Sequence, residues 1–131
     1  MRVFTIANRK GGTAKTTTVV NLAYGLTEYN KRVLVIDLDN QGHVMLGLKA
    51  LASNDDVNDL SLPNHSLFSR VVKCSPMLYV ASVDVDNSLS NEPVLLDSLR
   101  LWCDSPELVK HFDIVIIDTP PTLGPQLMAA L

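Results

Sequence analysis

A run of small, hydroxylated and cationic residues near the amino terminus has the composition of a phosphate-binding loop. Residues 8–17 read Asn-Arg-Lys-Gly-Gly-Thr-Ala-Lys-Thr-Thr and follow a short apolar stretch. Gly11 and Gly12 let successive backbone N–H groups converge on phosphate oxygens, and a helix that begins here adds its partial positive charge. Lys15 is then placed to reach the β- and γ-phosphates, and the Thr16 hydroxyl to ligate Mg²⁺. An ordinary Gly-Gly turn before a helix is the alternative interpretation.

Three aspartates stand at the ends of apolar runs. Asp37 and Asp39 follow the run 33–36, and Asp118 follows the run 114–117. Because ligands bind at the carboxyl ends of strands in an open parallel sheet, these carboxylates are expected to face the phosphate loop. Strand alternation places Asp37 and Asp39 on the same side, and Asp118 is predicted to hold Mg²⁺ directly or through water. The alternative is that these carboxylates cap the turns that follow them.

Short, continuous apolar runs predict the strands of a mostly parallel sheet that is covered by helices on both faces. The runs are Val3–Ala7, Val33–Ile36, Met77–Ala81 and Ile114–Ile117. Between the first two, apolar residues repeat with helical spacing and predict a helix over 15–29 that Asn30 stops. Together these elements form a right-handed βαβ unit. The remaining predictions are one or two helical turns at 67–72, helices at 93–102 and 106–111, and a loop at 51–65.

Length and composition predict one α/β domain over residues 1–131. The 47% hydrophobic and 19% charged content excludes a disordered tail or a fibre. Cys74 and Cys103 lack a CxxC spacing, which favours core thiols in a reducing compartment over a zinc or iron–sulfur site. No apolar run is long enough for a membrane span or a secretory signal, so we expect a cytoplasmic protein. Residues 126–131 have the pattern of a new helix, and we expect the chain to be the amino-terminal portion of a larger fold.

Three segments together resemble the deviant Walker A ATPases of the ParA/MinD family. The phosphate loop matches K-G-G-x-x-K-[ST]. Residues 31–42 are similar to the family's K-R-V-L-x-x-D-x-D-P-Q-G segment, and residues 116–124 to its I-I-D-x-P-P-x-L-G box. The departures are Ala14, where most members carry glycine, and Asn40, where proline is usual. The likeness is nearer to the ParA/Soj-like partition branch than to MinD.

The resemblance implies a P-loop NTPase-like fold and a slow ATPase that binds ATP or ADP with Mg²⁺. It assigns nucleotide binding to Lys10, Gly11, Gly12, Thr13, Ala14, Lys15, Thr16 and Thr17. Lys10 is expected to reach across a dimer to the partner subunit's nucleotide, and to act in catalysis with Lys15 and Asp39. Asp39 is expected to orient the attacking water. The metal residues are Thr16, Asp37 and Asp118, with Asp37 supporting the metal shell.

The function that the resemblance implies is partition or positioning of a plasmid, a chromosome or other cargo by a homodimer that forms on ATP binding. An adaptor or cargo protein would stimulate hydrolysis. Nonspecific DNA binding is expected only in a full-length form, and no membrane-targeting segment is visible in the sequence. Two alternatives stay open. One is a metabolic P-loop enzyme, such as an amide- or carboxylate-activating synthase, although such enzymes do not need Lys10. The other is a catalytically inactive relative that acts as an interaction module.

Overall fold

The computed structural model describes residues 1–7, 13–39, 42–50, 68–83 and 92–119. The strands in this part of the chain are β1 (Arg2–Ile6), β2 (Val33–Asp37), β3 (Phe68–Ser75), β4 (Leu78–Val83) and β5 (Ile114–Asp118). The helices are α1 (Thr13–Glu28), α2 (His43–Ala50), α3 (Glu92–Cys103) and α4 (Pro106–His111).

The strands form one mostly parallel sheet in the order β1-β5-β2-β4-β3. The first four strands of that order run parallel, and β3 pairs antiparallel with β4 at the edge. All four strands that the apolar runs predict are therefore confirmed. The register places Asp118 of β5 between Ile6 of β1 and Asp37 of β2, so the chemical groups gather at the carboxyl ends of the central strands.

Helices cover both faces of the sheet, which explains why its central strands read as continuous apolar runs. Successive residues of β2 point to opposite faces. Val33 and Val35 pack in one core with α1 and α2. Leu34 and Ile36 pack in a second core with α3 and α4, where Trp102 is completely buried. The predicted two-faced architecture is confirmed.

Two elements differ from the sequence-based expectation. The helical turns predicted at 67–72 are wrong, because β3 begins at Phe68 and is held by its antiparallel pairing with β4. That pairing sets Val71 opposite Ala81 and Val72 opposite Val80, and valine is a residue type that suits a strand. Helix α2 was not predicted, although Val44, Met45 and Leu48 bury one face of it. The loop predicted at 51–65 and the helix start predicted at 126–131 lie outside the described residues.

The connection from α1 to β2 is tightly fixed. Asn30 has a left-handed backbone (φ 57°), and the Lys31 N–H bonds back to the Leu26 carbonyl, so the predicted helix stop is confirmed. Next along the chain, the Arg32 guanidinium donates to both carboxylate oxygens of Asp113, at 3.1 and 3.0 Å. These hydrogen bonds lower the pKa of Asp113 to about 2. The pair ties the start of β2 to the residue that precedes β5.

Strand β1 lies at the other edge of the sheet, and within the described residues it pairs only with β5. Its side chains are exposed on both faces, with Val3 at 44% and the next residue, Phe4, at 43%. Among the described helices, none combines the length and apolar character needed to cross a bilayer.

Candidate functional site

The centre of the site is a buried ion pair between the start of α1 and the end of β5. The Lys15 ammonium donates to Asp118 Oδ1 at 2.7 Å, and the two side chains are only 6% and 1% exposed. Lys15 also donates to the backbone carbonyl of Thr119. The sequence predicted both charged groups at one phosphate site, and the structure brings them into direct contact.

Thr119 is a site residue that the sequence reasoning did not single out. It is fully buried, and its carbonyl accepts from Lys15 while its own N–H and hydroxyl donate to the Ile6 carbonyl at 3.3 and 3.0 Å. Ile6 ends β1, directly before the segment that contains the phosphate loop. Thr119 therefore joins the ends of β1 and β5 beneath Lys15. Its signal was its position after Asp118 in the I-I-D-x-P-P box.

The Asp37 carboxylate caps α2. Its oxygens accept hydrogen bonds from the Asp39 N–H at 3.0 Å and from the Met45 N–H at 3.3 Å. Met45 lies in the first turn of α2, where unsatisfied N–H groups and the helix dipole favour a negative charge. These contacts are those of the alternative interpretation, in which the carboxylate caps the next turn. Its role in the metal shell stays a prediction.

The site carries more negative than positive charge in the described residues. Asp37 and Asp118 are each 1% exposed and occupy paired positions on neighbouring strands, with Asp39 half-buried beside them. Lys15 is the buried cation that faces them. Burial raises the pKa of Asp37 to about 6 and also raises that of Asp118, where the Lys15 hydrogen bond opposes only part of the shift. A divalent cation would relieve this excess charge.

The donor set fits Mg²⁺. Asp118 would supply a carboxylate, and Thr16, which is half-buried and adjacent to Lys15, would supply a hydroxyl. Mg²⁺ in proteins prefers oxygen ligands and is usually held by one or two carboxylates together with substrate phosphates. Thr13, the first of the predicted nucleotide-binding residues in α1, begins that helix. Ala14 and Thr17 of the same helix are exposed. The predicted residues Lys10, Gly11 and Gly12 lie outside the described part of the chain.

Asp37 gives the unfolding free energy a pH dependence of defined sign. Its folded-state pKa of about 6 lies above its ordinary value of 3.8. The stabilisation linked to its protonation is therefore complete below the ordinary value, and it is lost as the pH rises through about 6. Between about pH 4.5 and pH 7.5, we expect the parent to lose about 2 kcal/mol of unfolding free energy relative to the Asp37→Asn variant.

Urea unfolding of the two proteins across that pH range measures the difference. Asp113 does not interfere, because its pKa is lowered to about 2 and its stabilising contribution is lost only below the ordinary value of 3.8. Parallel pH profiles of the parent and the Asp37→Asn variant would show that Asp37 does not titrate in this range.

Comparisons with known proteins identify the family of the chain. The family model described as AAA domain matches residues 1–131. The chromosome partitioning protein ParA of Myxococcus xanthus is 34% identical over an alignment of 142 residues. The alignment includes 99% of this chain and 48% of that protein. The chromosome-partitioning ATPase Soj of Thermus thermophilus is 35% identical over 138 residues, with coverage of 100% and 51%. The chain thus spans about half the length of the curated relatives it matches.

A solved structure shares the fold. Cobyrinic acid a,c-diamide synthase from Mycobacterium smegmatis, with bound ADP and magnesium, has a TM-score of 0.73 and 31% sequence identity, covering 100% of this chain and 56% of that chain. The mostly parallel sheet is thus that of P-loop NTPases. With the AAA domain match over the whole sequence and relatives named ParA and Soj, the chain belongs to the ParA/MinD family of deviant Walker A ATPases.

Proposed function

We propose that this chain binds and slowly hydrolyses ATP as part of a dimeric molecular switch that partitions or positions a plasmid, a chromosome or other cargo. The observation that carries the proposal is the buried Lys15–Asp118 pair. It joins the start of α1 to the end of β5, at the carboxyl ends of the strands, which is where ligands bind in open parallel sheets. The relatives named chromosome partitioning protein and chromosome-partitioning ATPase support the cargo role.

Each described site residue has a part in this proposal. Lys15 would exchange its contact with Asp118 for the β- and γ-phosphate oxygens. Thr16 and Asp118 would then hold Mg²⁺, whose charge neutralises the phosphates. Asp37 would support that arrangement from the start of α2, and Asp39 would orient the attacking water. The bound ADP and magnesium of the synthase structure support this cofactor assignment.

The dimer depends on Lys10 in this proposal. A second cation at the γ-phosphate would stabilise the charge of the transferring group and would make dimerisation depend on that phosphate. We expect Lys10→Ala to bind ATP within about threefold of the parent affinity but to lose the ATP-dependent dimer. Sedimentation with a non-hydrolysable ATP analogue and Mg²⁺ measures the dimer, and a fluorescent ATP analogue measures the affinity.

Lys31→Ala is the matched control, because Lys31 is an exposed lysine in the turn before β2. It should dimerise as the parent does. A Lys10→Ala protein that forms the dimer normally would remove Lys10 from the interface. A parent chain that binds the analogue but stays monomeric would contradict the dimeric switch itself.

The similarity to the diamide synthase favours a second candidate, a metabolic enzyme that uses ATP to activate a carboxylate. Such an enzyme would consume ATP only with its carboxylate substrate and would not need Lys10. ATP hydrolysis by the parent alone, lost in Lys10→Ala, would favour the switch. The switch proposal includes an adaptor or cargo protein that stimulates hydrolysis. It also includes nonspecific DNA binding by a longer form of the protein.

A further inference from the structure

A second concave site lies at the opposite end of the sheet from the nucleotide site. The strand starts Val33, Leu78 and Ile114 are paired in register, and the cleft opens beside them. It has a volume of about 330 Å³ and is lined by Arg32, Pro76, Tyr79, Lys110, His111 and Phe112. Because Asp37 and Asp118 end these same strands, the cleft shares no residue with the nucleotide site.

The floor of the cleft is aromatic and apolar. Phe112 is buried, and its ring meets the half-buried Tyr79 ring edge-to-face, with centroids 5.5 Å apart and planes at 77°. Pro76 is exposed beside them, in the turn between β3 and β4. The accessible surface here is built mainly from Tyr79 and Pro76, and it suits an aromatic or other apolar side chain.

The rim of the cleft is cationic. Lys73 is not a lining residue, but its ammonium lies 5.7 Å from the centre of the Tyr79 ring, which does line the cleft. Lys110 and His111 are exposed in the last turn of α4. Arg32 is held in place, since it donates to the Lys110 carbonyl at 3.0 Å in addition to Asp113. Asp113 balances the charge of Arg32, so Lys73 and Lys110 give the cleft its positive excess.

His111 is oriented as well. Its Nδ1 lies 3.0 Å from the Glu107 carbonyl, which favours a proton on Nδ1. A histidine that bonds its own helix through one ring nitrogen has the other available for a ligand. The cleft therefore combines a small apolar floor with Lys110 of α4 in its lining and the Lys73 ammonium next to its Tyr79.

We propose that this cleft binds a short acidic peptide segment of a partner protein. An aromatic side chain of the peptide would lie on Tyr79 and Pro76, and its flanking carboxylates would meet Lys73 and Lys110. The volume is at the lower end for ligand pockets and suits one side chain with its neighbours. A nucleic acid strand is disfavoured, because it needs a longer basic stripe, and here Asp113 neutralises Arg32. The chain as a whole also has a net charge of -3.

Fluorescence anisotropy of a fluorescein-labelled peptide, Gly-Glu-Asp-Phe-Asp-Glu-Gly, tests the proposal with the full chain. We expect saturable binding that Lys110→Glu weakens by at least about tenfold, since it reverses a charge at the cleft. Tyr79→Leu should weaken binding by about threefold or more by removing part of the ring surface. Arg100→Glu makes the same charge change at an exposed residue of α3 that does not line the cleft, and should leave binding unchanged.

Three results would overturn the proposal. The first is no saturable binding at millimolar peptide. The second is equal weakening by Lys110→Glu and Arg100→Glu, which would indicate attraction to net charge alone. The third is stronger binding of a labelled oligothymidine than of the peptide, with the same dependence on Lys110, which would identify a nucleic acid site instead. Circular dichroism of each variant confirms folding, and ATP affinity should be unchanged in all of them.

Discussion

The Lys15→Met variant is expected to lose both nucleotide binding and part of its stability. Methionine keeps an unbranched apolar stem but leaves Asp118 buried without its cation, and breaking a buried pair costs about 3 kcal/mol of unfolding free energy. With the phosphate contact also lost, ATP affinity should fall by at least about 100-fold. Urea unfolding without nucleotide measures the first effect, and titration with a fluorescent ATP analogue and Mg²⁺ the second.

A double variant separates the two effects. Adding Asp118→Asn to Lys15→Met removes the unpaired charge, so it should recover part of the stability without recovering ATP binding. Lys31→Met is the control for loss of an exposed lysine and should leave both quantities near the parent values. If Lys15→Met bound ATP as tightly as the parent, the phosphate site would have to be sought elsewhere.

The Asp39→Ala variant should bind ATP within about threefold of the parent and hydrolyse it at least about 100-fold more slowly. The reason is that Asp39 is proposed to act on the attacking water and not on the phosphates. Two of its hydrogen bonds are made by its backbone, which alanine retains. The N–H donates to Asp37, and the carbonyl accepts from the Gly42 N–H at 3.0 Å. Both of these backbone hydrogen bonds should therefore persist in the variant.

Phosphate release at saturating ATP measures this effect. Asp97→Ala, at an exposed position of α3, is the matched control and should hydrolyse at the parent rate. Undiminished hydrolysis by Asp39→Ala would move the water-positioning role to another residue, with Asp37 the next candidate. A parent that binds ATP without hydrolysing it would instead favour the interaction module.

The central strands and three of the helices could be predicted because their signals are local. A short, continuous apolar run such as 114–117 is typical of a strand that helices cover on both faces. Strand β3 could not be predicted in this way, because the hydrogen bonds that make it a strand come from β4 and not from its own sequence. Helix α2 had a local signal in Val44, Met45 and Leu48, but its eight residues gave only two turns of pattern.

The site residues also divide into those that the sequence predicted and those that it did not. Motif order alone placed Lys15 and Asp118 together, although 103 residues separate them. Capping by Asp37 was the alternative interpretation of the sequence, but its donor Met45 could not be named, because Met45 belongs to the helix that was not predicted. Thr119 accepts from Lys15 through its backbone carbonyl and donates to the backbone carbonyl of Ile6. Contacts to backbone groups depend little on residue type, so the sequence does not reveal them.

Strand β1, which lies at the edge of the sheet within the described residues, bears on how any oligomer of this chain is interpreted. An edge strand with apolar side chains on both faces, here Val3 and Phe4, is a template for strand pairing between molecules. Such association would grow with protein concentration and would be indifferent to nucleotide. The switch, by contrast, requires the γ-phosphate and Lys10. An oligomer that persists after nucleotide is removed would therefore indicate association along β1. Only the oligomer that is lost when ATP is removed would be the functional dimer.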